Sequence, residues 1–340
     1  MDDVRYEVDG ACGIVTLNRP AALNALTTPM IRSMTDALSA WHADARIASV
    51  ILKSASPKAF CAGGDIKAVR ASSIAGDGAA NEAFFSTEYV LDELIATYAK
   101  PFVSLIDGIC MGGGMGISVH GRFRVVTERA LFAMPEVGIG FFPDVGASYF
   151  LPRLPGQVGT YLGLTGARAG GGDAVYARLG THFVPSARLA ELERALRSDR
   201  QGAIGATLER WAESPPEAPL AAHRETLDRV FAGATAADIV DALERADDPW
   251  SRESLGLLRR GSPLSLAITC ALVRRGARVP LHACFEQELR LGRVVTRSPD
   301  FLEGVRAVLV DKDGRPRWTH AAVRDVRAGD LAGALAALEG

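Results

Sequence analysis

The sequence has few cysteines, few lysines and no long uninterrupted apolar run, and each scarcity excludes a class of protein. Its five cysteines are odd in number, widely scattered and free of any CxxC pair. This usage argues against a disulfide framework and against a metal site, and it is typical of buried thiols in a reducing compartment. The cysteines are Cys12, Cys61, Cys110, Cys270 and Cys284.

Membrane insertion and secretion are not expected either. The longest apolar stretch, residues 101–119, is interrupted by Asp107 and five glycines, so it does not predict a membrane span. Asp2 and Asp3 stand where a signal peptide would carry a basic segment followed by an apolar one. We therefore expect a cytoplasmic protein with no membrane partner.

The charge balance narrows the class further. Only five of the 38 basic residues are lysines, a bias that we attribute to a GC-rich bacterial genome. The formal net charge is −2, whereas nucleic-acid-binding proteins normally present a basic face, so no nucleic-acid partner is expected. A chain of 340 residues can bury a large core, which favours one large domain with an extension. Composition leaves the formation of a homo-oligomer open.

Two kinds of pattern divide the chain near residue 185. Before it, strand-like runs alternate with helical ones, which predicts an α/β (α+β) core of strand–strand–helix turns at residues 1–185. After it, amphipathic patterns predict a mainly helical region at residues 186–340, packed on the core because such helices are not stable alone. The predicted strands are Tyr6–Val8, Gly13–Leu17, Ser49–Lys53, Phe102–Ile106 and Phe123–Val126, and the predicted core helices are Pro29–His42, Asn81–Tyr98 and Gln157–Leu164.

What is present is concentrated in residues 131–154, LFAMPEVGIGFFPDVGASYFLPRL. Two acids, Glu136 and Asp144, lie there among Gly, Pro, Phe and Ile. Apolar surroundings penalise the charged form of a carboxyl group and tend to raise its pKa toward a range useful in catalysis. The residues alone leave two interpretations open, a catalytic pair and a pair of loop acids that cap helix ends.

Two glycine-rich turns precede the acids. The first lies in Phe60–Lys67, FCAGGDIK, and the second in Asp107–Ser118, DGICMGGGMGIS. Each follows a strand-like run and leads into a helical one. Glycine lets the backbone approach a ligand closely and lets N–H groups point at it. Two such turns followed by paired acids favour an anion-stabilising site over tight packing alone.

These segments resemble the enoyl-CoA hydratase/isomerase (crotonase) superfamily, and more narrowly its hydrolase branch. The resemblance rests on Asn18-Arg-Pro20, Asn24-Ala-Leu26, both glycine turns and the MPEVGIGFFPDVG segment. It continues through Thr181–Val184 and Asp300–Asp313 to Trp318, and it is weakest between about residues 190 and 280. It implies a crotonase-like spiral, an acyl-CoA substrate and no cofactor, since coenzyme A is part of the substrate, with a place in valine breakdown.

The resemblance also implies roles for single residues. The amides of Gly64 and Gly113 would form an oxyanion hole, Glu136 would act as nucleophile or general base, and Asp144 would orient a substrate 3-hydroxyl group. The residues expected to contact the substrate or its coenzyme A are Leu23, Ala62, Gly63, Asp65, Ile66, Gly112 and Gly116. Asp65 is also expected to cap the following helix, and Lys67 to face solvent.

One departure from the family separates the possible activities. Hydratases of the superfamily carry a second glutamate at the position of Gly116. Addition of water needs a matched acid and base, so its loss favours thioester hydrolysis. Two alternatives stay open: a hydratase or isomerase on the same scaffold, and a non-catalytic homologue that binds coenzyme A or RNA.

Overall fold

The computed structural model describes residues 2–199 and 203–339, which form two compact units. The sheet unit comprises Met1–Gly64, Thr87–Phe132 and Ala169–Ala222. The helical unit comprises Asp65–Ser86, Ala133–Arg168 and His223–Gly340. Because each unit collects three separate segments, neither coincides with one continuous half of the chain. The predicted division into a core at residues 1–185 and a helical region at residues 186–340 stays a prediction.

Strands pair in two sheets. The larger sheet has the order β1-β2-β3-β5-β7-β10, in which β1 is antiparallel to β2 and the other pairs are parallel. The smaller sheet has the order β4-β6-β8-β9. The strands are β1 Val4–Asp9, β2 Cys12–Leu17, β3 Ser49–Ser54, β4 Ala59–Cys61, β5 Phe102–Ile106, β6 Ile109–Met111, β7 Phe123–Val126, β8 Leu131–Ala133, β9 Ala169–Gly170 and β10 His182–Phe183.

Helices make up most of the remaining described chain. They are α1 Thr28–Ala43, α2 Ile66–Ile74, α3 Gly78–Ala96, α4 Gly113–Val119, α5 Ala147–Phe150, α6 Val158–Thr165, α7 Gly171–Tyr176, α8 Leu189–Ser198, α9 Ile204–Trp211, α10 Pro219–Ala222, α11 Arg224–Val230, α12 Ala236–Ala246, α13 Pro249–Leu258, α14 Pro263–Gly276, α15 Leu281–Val295, α16 Pro299–Val305 and α17 Ala328–Glu339. A short 3₁₀ helix spans Glu136–Ile139. None of the described helices meets the length and hydropathy needed to span a membrane.

The strand order confirms the expected spiral. In each turn, the first strand (β3, β5 or β7) joins the larger sheet and the next strand (β4, β6 or β8) joins the smaller one. Helices follow the first two of these pairs. This arrangement excludes a doubly wound nucleotide-binding sheet, in which one parallel sheet alternates with helices. It also places the carboxyl ends of β4 and β6 side by side, because these two strands pair in parallel.

Burial explains why the chain forms these elements. Every residue of β2 is buried between neighbouring strands, whereas the edge strand β1 buries only Val4. The larger sheet packs against α8 and α9 in a core of apolar side chains contributed by Ile14, Ile51, Val103, Val125, Leu192, Leu196, Ile204 and Leu208. After β10, the described residues contain helices but no strand, so the predicted change to a helical region is confirmed.

Side chains mark where many of the helices begin. Thr27, Ser262 and Ser298 each accept a hydrogen bond from a backbone N–H in the first turn of α1, α14 and α16. Thr235 and Asp238 form a reciprocal capping box at the start of α12. These caps satisfy N–H groups that have no partner within the helix. The beginnings of α1, α12, α14 and α16 are therefore specified by local sequence.

Candidate active site

Two glycine turns lie next to each other in the sheet unit, at the ends of β4 and β6. Gly63 has a φ of +108° and Gly112 a φ of +48°, conformations that side chains disfavour. A Cβ atom built on Gly63 would lie 3.3 Å from the carbonyl oxygen of Met111 and 3.7 Å from the amide nitrogen of Gly113. Glycine is therefore needed in the first turn so that the two backbones can approach.

The amides of Gly64 and Gly113 are neighbours in this arrangement. A Cβ atom built on Gly113 would lie 3.4 Å from the amide nitrogen of Gly64. In the described part of the chain, neither amide donates a hydrogen bond to another backbone group outside the regular elements. Gly113 is the first residue of α4, where helical N–H groups lack intrahelical partners. Two neighbouring amides of this kind can act as donors to one oxygen of a ligand.

The loop before α1 holds the first glycine turn in place. The amide of Ala62 donates to the carbonyl oxygen of Leu23 at 3.0 Å, and the amide of Leu26 donates to that of Gly63 at 2.8 Å. The side-chain amide of Asn24 donates to the carbonyl oxygen of Phe60 at 2.9 Å. Asn24 is fully buried in the left-handed conformation, with a φ of +58°. The Asn-Ala-Leu motif thus positions the turn, which explains its place in the resemblance.

A residue that the sequence did not identify, Glu88, borders the second turn. Glu88 lies on α3, is 2% exposed, and would overlap through its Oε1 atom with any Cβ atom on Gly113. Its sequence context, a helical pattern of apolar and polar residues, is that of an ordinary amphipathic helix. The only hint available is that it lies four residues before another acid, Asp92, which is also buried.

Cys61, which precedes the first glycine turn, lacks the environment that activates a nucleophilic thiol. Burial is the main cause that raises the pKa of its thiol far above the ordinary value. Burial also raises the pKa of the neighbouring Cys110 to about 12. Because the thiolate is the reactive form, both cysteines are inert packing residues at neutral pH. The prediction of buried thiols is confirmed at these two positions.

Gly116 lies in α4 and is buried with the rest of Gly113–Ser118. Glycine contributes no acid or base there. The helix that begins at the second glycine turn therefore carries no carboxylate on its buried first turns. The sequence carries glycine at position 116 in place of a glutamate, and in the structure this position lies on the buried part of α4.

Glu136 lies in the helical unit, at the first position of the 3₁₀ helix Glu136–Ile139. Its side chain is 7% exposed. The helix ends at Gly140, whose φ of +71° reverses the chain and lets the amide of Phe141 donate to the carbonyl oxygen of Glu136 at 3.0 Å. Helices α6, α14 and α16 pack against this segment. Glu136 is thus a buried carboxyl on a rigid, well-packed turn.

Asp144 lies in the same unit and is 6% exposed. Stacked rings precede it: the centroids of Phe141 and Phe142 are 4.3 Å apart, and those of Phe85 and Phe141 are 5.5 Å apart. A buried carboxylate interacts more strongly with nearby charges and dipoles than an exposed one, because the local dielectric is low. The sequence-based expectation of two acids in apolar surroundings therefore agrees with the burial of both residues.

The remaining predicted contact residues lie close to these features in the chain. Leu23 has a φ of +51° and, as described, accepts a hydrogen bond from Ala62. Asp65 and Ile66 begin α2, and Lys67 is exposed as expected. One expectation was wrong: Asp65 occupies the N-cap position, but its side chain makes no capping hydrogen bond to α2. With a φ of −78° and a ψ of +70°, its backbone lies outside the extended conformation of most N-cap residues.

The structure therefore brings together Gly63, Gly64, Gly112 and Gly113 in the sheet unit. Glu136 and Asp144 lie on one continuous segment of the helical unit. No group of His, Cys, Asp and Glu in the described residues has the arrangement needed to hold a metal ion. The chemistry available is backbone hydrogen-bond donation at one place and carboxylate chemistry at the other.

Known proteins share both the sequence and the fold. A family model described as enoyl-CoA hydratase/isomerase matches residues 12–335. The chain is 44% identical over 332 residues to the mitochondrial 3-hydroxyisobutyryl-CoA hydrolase of Gallus gallus, covering 95% of this chain and 86% of that protein.

Solved structures of similar length belong to proteins with other names. A carnitinyl-CoA dehydratase from Mycobacterium thermoresistibile is 41% identical with a TM-score of 0.93, covering 98% of this chain and 96% of that one. An enoyl-CoA hydratase from Rhodobacter sphaeroides 2.4.1 is 41% identical with a TM-score of 0.92, covering 98% and 97%.

Proposed function

The chain belongs to the enoyl-CoA hydratase/isomerase family, and from that premise we propose that it hydrolyses 3-hydroxyisobutyryl-CoA to 3-hydroxyisobutyrate and coenzyme A. The observation that carries the choice of hydrolysis is the glycine at position 116, in a chain that retains Glu136 and Asp144 as buried acids. Hydration and dehydration of an acyl-CoA require an acid and a base together, and α4 supplies neither. The full-length similarity to a named 3-hydroxyisobutyryl-CoA hydrolase supports the same choice.

The reaction breaks the bond between the acyl carbon and sulfur. Attack on that carbon moves negative charge onto the thioester oxygen. In this proposal the amides of Gly64 and Gly113 donate to that oxygen as its charge develops. Backbone donors that are already in place need no reorganisation at that moment, and one such donor is worth roughly 10²–10³ in rate. The thiolate of coenzyme A then leaves and takes up a proton.

Glu136 is the group proposed to start the attack. Its carboxylate either adds to the acyl carbon, giving an anhydride that water cleaves, or removes a proton from the water that adds directly. Both routes consume one water and release one acid and one thiol. A single turnover in ¹⁸O-labelled water distinguishes direct attack from an anhydride that water cleaves at the carboxyl carbon of Glu136. Direct attack places the label in the product acid. Cleavage of the anhydride at that carbon places the label in Glu136.

Asp144 is proposed to accept a hydrogen bond from the 3-hydroxyl group of the substrate. A site that hydrogen-bonds a substrate hydroxyl group favours a substrate that offers this donor over one that lacks it. This role makes the enzyme selective for 3-hydroxyacyl thioesters. Leu23, Ala62, Gly63, Asp65, Ile66, Gly112 and Gly116 stay the proposed contacts to the acyl-CoA.

The proposal includes no cofactor, because hydrolysis consumes only water and transfers no electrons. From composition, the proposal also includes a cytoplasmic location in a bacterium and no nucleic-acid partner. Cell fractionation and nucleic-acid content of the purified protein measure these two parts directly.

The test compares three substrates on the purified chain. Thiol release is expected from 3-hydroxyisobutyryl-CoA, with slower release from isobutyryl-CoA, which lacks the hydroxyl group. Crotonyl-CoA should keep its enoyl absorbance. Loss of that absorbance without thiol release would favour the hydratase alternative, and no reaction with any substrate would favour a binding protein.

A further inference from the structure

The turn that follows Asp144 has an unusual backbone. The amide of Ala147 donates to the carbonyl oxygen of Asp144 at 2.9 Å and closes a four-residue turn. Its two central residues, Val145 and Gly146, have φ values of +54° and +78°. Gly146 adopts such values readily, but a β-branched residue in this region is strained by crowding of its Cβ atom. A strained turn persists only where its surroundings hold it.

Glu288 supplies that hold from α15, more than 140 residues away in the sequence. Its Oε2 atom accepts a hydrogen bond from the amide of Gly146 at 2.7 Å. Its Oε1 atom accepts from the amide of Ser148 at 2.9 Å and from the hydroxyl of Ser148 at 2.5 Å. Glu288 is completely buried, so these bonds are shielded from water. All of the partners lie within four residues of Asp144.

A second element restricts the same turn. The end of α14 passes so close to α5 that a Cβ atom on Gly276 would overlap the carbonyl oxygen of Ser148. The turn therefore contacts two helices of the same unit, α14 and α15, and Glu288 on α15 bonds it directly. All three hydrogen bonds that Glu288 accepts come from the backbone and side chain of this one turn.

Glu288 also interacts electrostatically with Asp144. Burial is the first cause that raises the pKa of Glu288, to about 8, and the charge of Asp144 raises it further, while the bonds from Ser148 and Gly146 lower it. The other titratable group that faces it on α15 is the thiol of Cys284, whose pKa is raised chiefly by burial. The carboxyl of Glu288 thus responds to Asp144 as well as to the turn.

We propose that Glu288 is a positioning residue for Asp144, which it keeps in place by bonding the strained turn 144–148 through Gly146 and Ser148. Its function is selectivity for the substrate hydroxyl group and not the bond cleavage itself. This inference rests on the proposed role of Asp144 in hydrolysis. A carboxylate that moves by about 1 Å loses a hydrogen bond to the substrate, and such displacements can cost roughly 10²-fold in rate.

The test is Glu288→Gln, with Glu286→Gln as matched control on the exposed side of the same helix. Gln keeps the size of Glu288 but replaces one acceptor oxygen by a donor, which opposes one of the N–H groups of the turn. The ratio of kcat/KM for 3-hydroxyisobutyryl-CoA to that for isobutyryl-CoA should fall at least about tenfold. This factor corresponds to loss of one hydrogen bond between the Asp144 carboxylate and the substrate hydroxyl group. Glu286→Gln should leave this ratio unchanged.

The ratio separates positioning from simple loss of folded protein. Unfolding lowers both rates by the same factor, so an equal loss on the two substrates would overturn the proposal. Ser148→Ala removes one of the three bonds and serves if Glu288→Gln does not fold. It should lower the ratio in the same direction by a smaller factor, and an unchanged ratio in Ser148→Ala would count equally against the proposal.

Amide hydrogen exchange gives a readout that does not depend on the reaction. The amides of Gly146 and Ser148 should exchange faster in Glu288→Gln than in the unchanged protein, whereas Glu286→Gln should not affect them. If the unchanged protein hydrolyses no 3-hydroxyacyl thioester, the proposed function fails while the exchange result still reports on the turn. Equal protection of both amides in all variants would overturn the positioning role alone.

Discussion

At the scale of single residues, Glu136 is the simplest to test. Glu136→Gln preserves the shape of a buried side chain and removes the charge that attacks carbon or activates water. Hydrolysis of 3-hydroxyisobutyryl-CoA should fall at least roughly 10²-fold, the lower range for loss of a positioned base. Steady-state thiol release measures it, with Glu286→Gln as the exposed control. Activity within a few-fold of the unchanged protein would remove Glu136 from the reaction.

Replacing Asp144 should mainly affect hydrolysis of substrates that carry a 3-hydroxyl group. Asp144→Asn keeps an acceptor oxygen but adds a donor and removes the charge. We expect a larger loss of kcat/KM for 3-hydroxyisobutyryl-CoA than for isobutyryl-CoA, because only the first substrate presents the hydroxyl group that Asp144 binds. If both substrates slowed equally, Asp144 would instead be a proton-transfer residue for every thioester.

A substitution at Gly113 tests the proposed role of its amide as an oxyanion donor. Gly113→Ala adds a Cβ atom that overlaps Glu88, so either that side chain or the amide of residue 113 must move. The value of kcat should fall roughly 10²–10³-fold, as for loss of one oxyanion donor. Gly256→Ala is the matched control, because a Cβ atom on Gly256 meets no atom within 4 Å. Thermal unfolding of both variants shows whether the loss belongs to catalysis or to stability.

At the scale of elements, the sequence predicts the long ones well. The predicted strand Phe102–Ile106 matches the structure, and the predicted helix Pro29–His42 lies within α1, because several residues repeat the period of a strand or a helix. The strands β4, β6, β8 and β9 have two or three residues each and were not predicted. So short a strand shows no period, and only pairing with neighbours distant in the chain defines it.

The same limit explains which site residues were found. Glu136 and Asp144 stand out because apolar residues surround them in the sequence itself. Glu88 and Glu288 lie in amphipathic helices, where an acid is normally assigned to the solvent side. Their burial depends on which elements pack against α3 and α15, and the local pattern contains no information about that. Buried acids on helices are therefore the class of site residue that sequence reasoning is prone to miss.

The packing of α14 on α5 gives a prediction at this scale. Gly276→Ala introduces a Cβ atom that overlaps the carbonyl oxygen of Ser148, so one of the two helices must shift. Overpacking of this kind costs about 1–3 kcal/mol. The midpoint of denaturant unfolding should therefore fall. Gly292→Ala, where a Cβ atom on α15 meets nothing within 4 Å, should leave it unchanged or raise it.

At the scale of the whole molecule, the charge of Glu288 makes stability depend on pH. The pKa of this group is raised from 4.5 to about 8, mainly by burial, so the folded protein holds a proton that the unfolded chain has released over this interval. Stability falls with rising pH wherever the folded state binds more protons than the unfolded state. The contribution of Glu288 is thus present below its ordinary pKa and is lost as the pH rises through about 8.

The comparison that isolates this term is the unchanged protein against Glu288→Gln. Gln cannot ionise, so the difference between the two free energies of unfolding should change between about pH 5 and 8, with the unchanged protein losing stability relative to the variant. Titrating groups that do not interact with Glu288 contribute equally to both proteins and cancel. A difference that stays constant over this range would mean that Glu288 is already ionised in the fold. Its three hydrogen bonds would then outweigh its burial, and the turn at Asp144 would carry a permanent negative charge beside it.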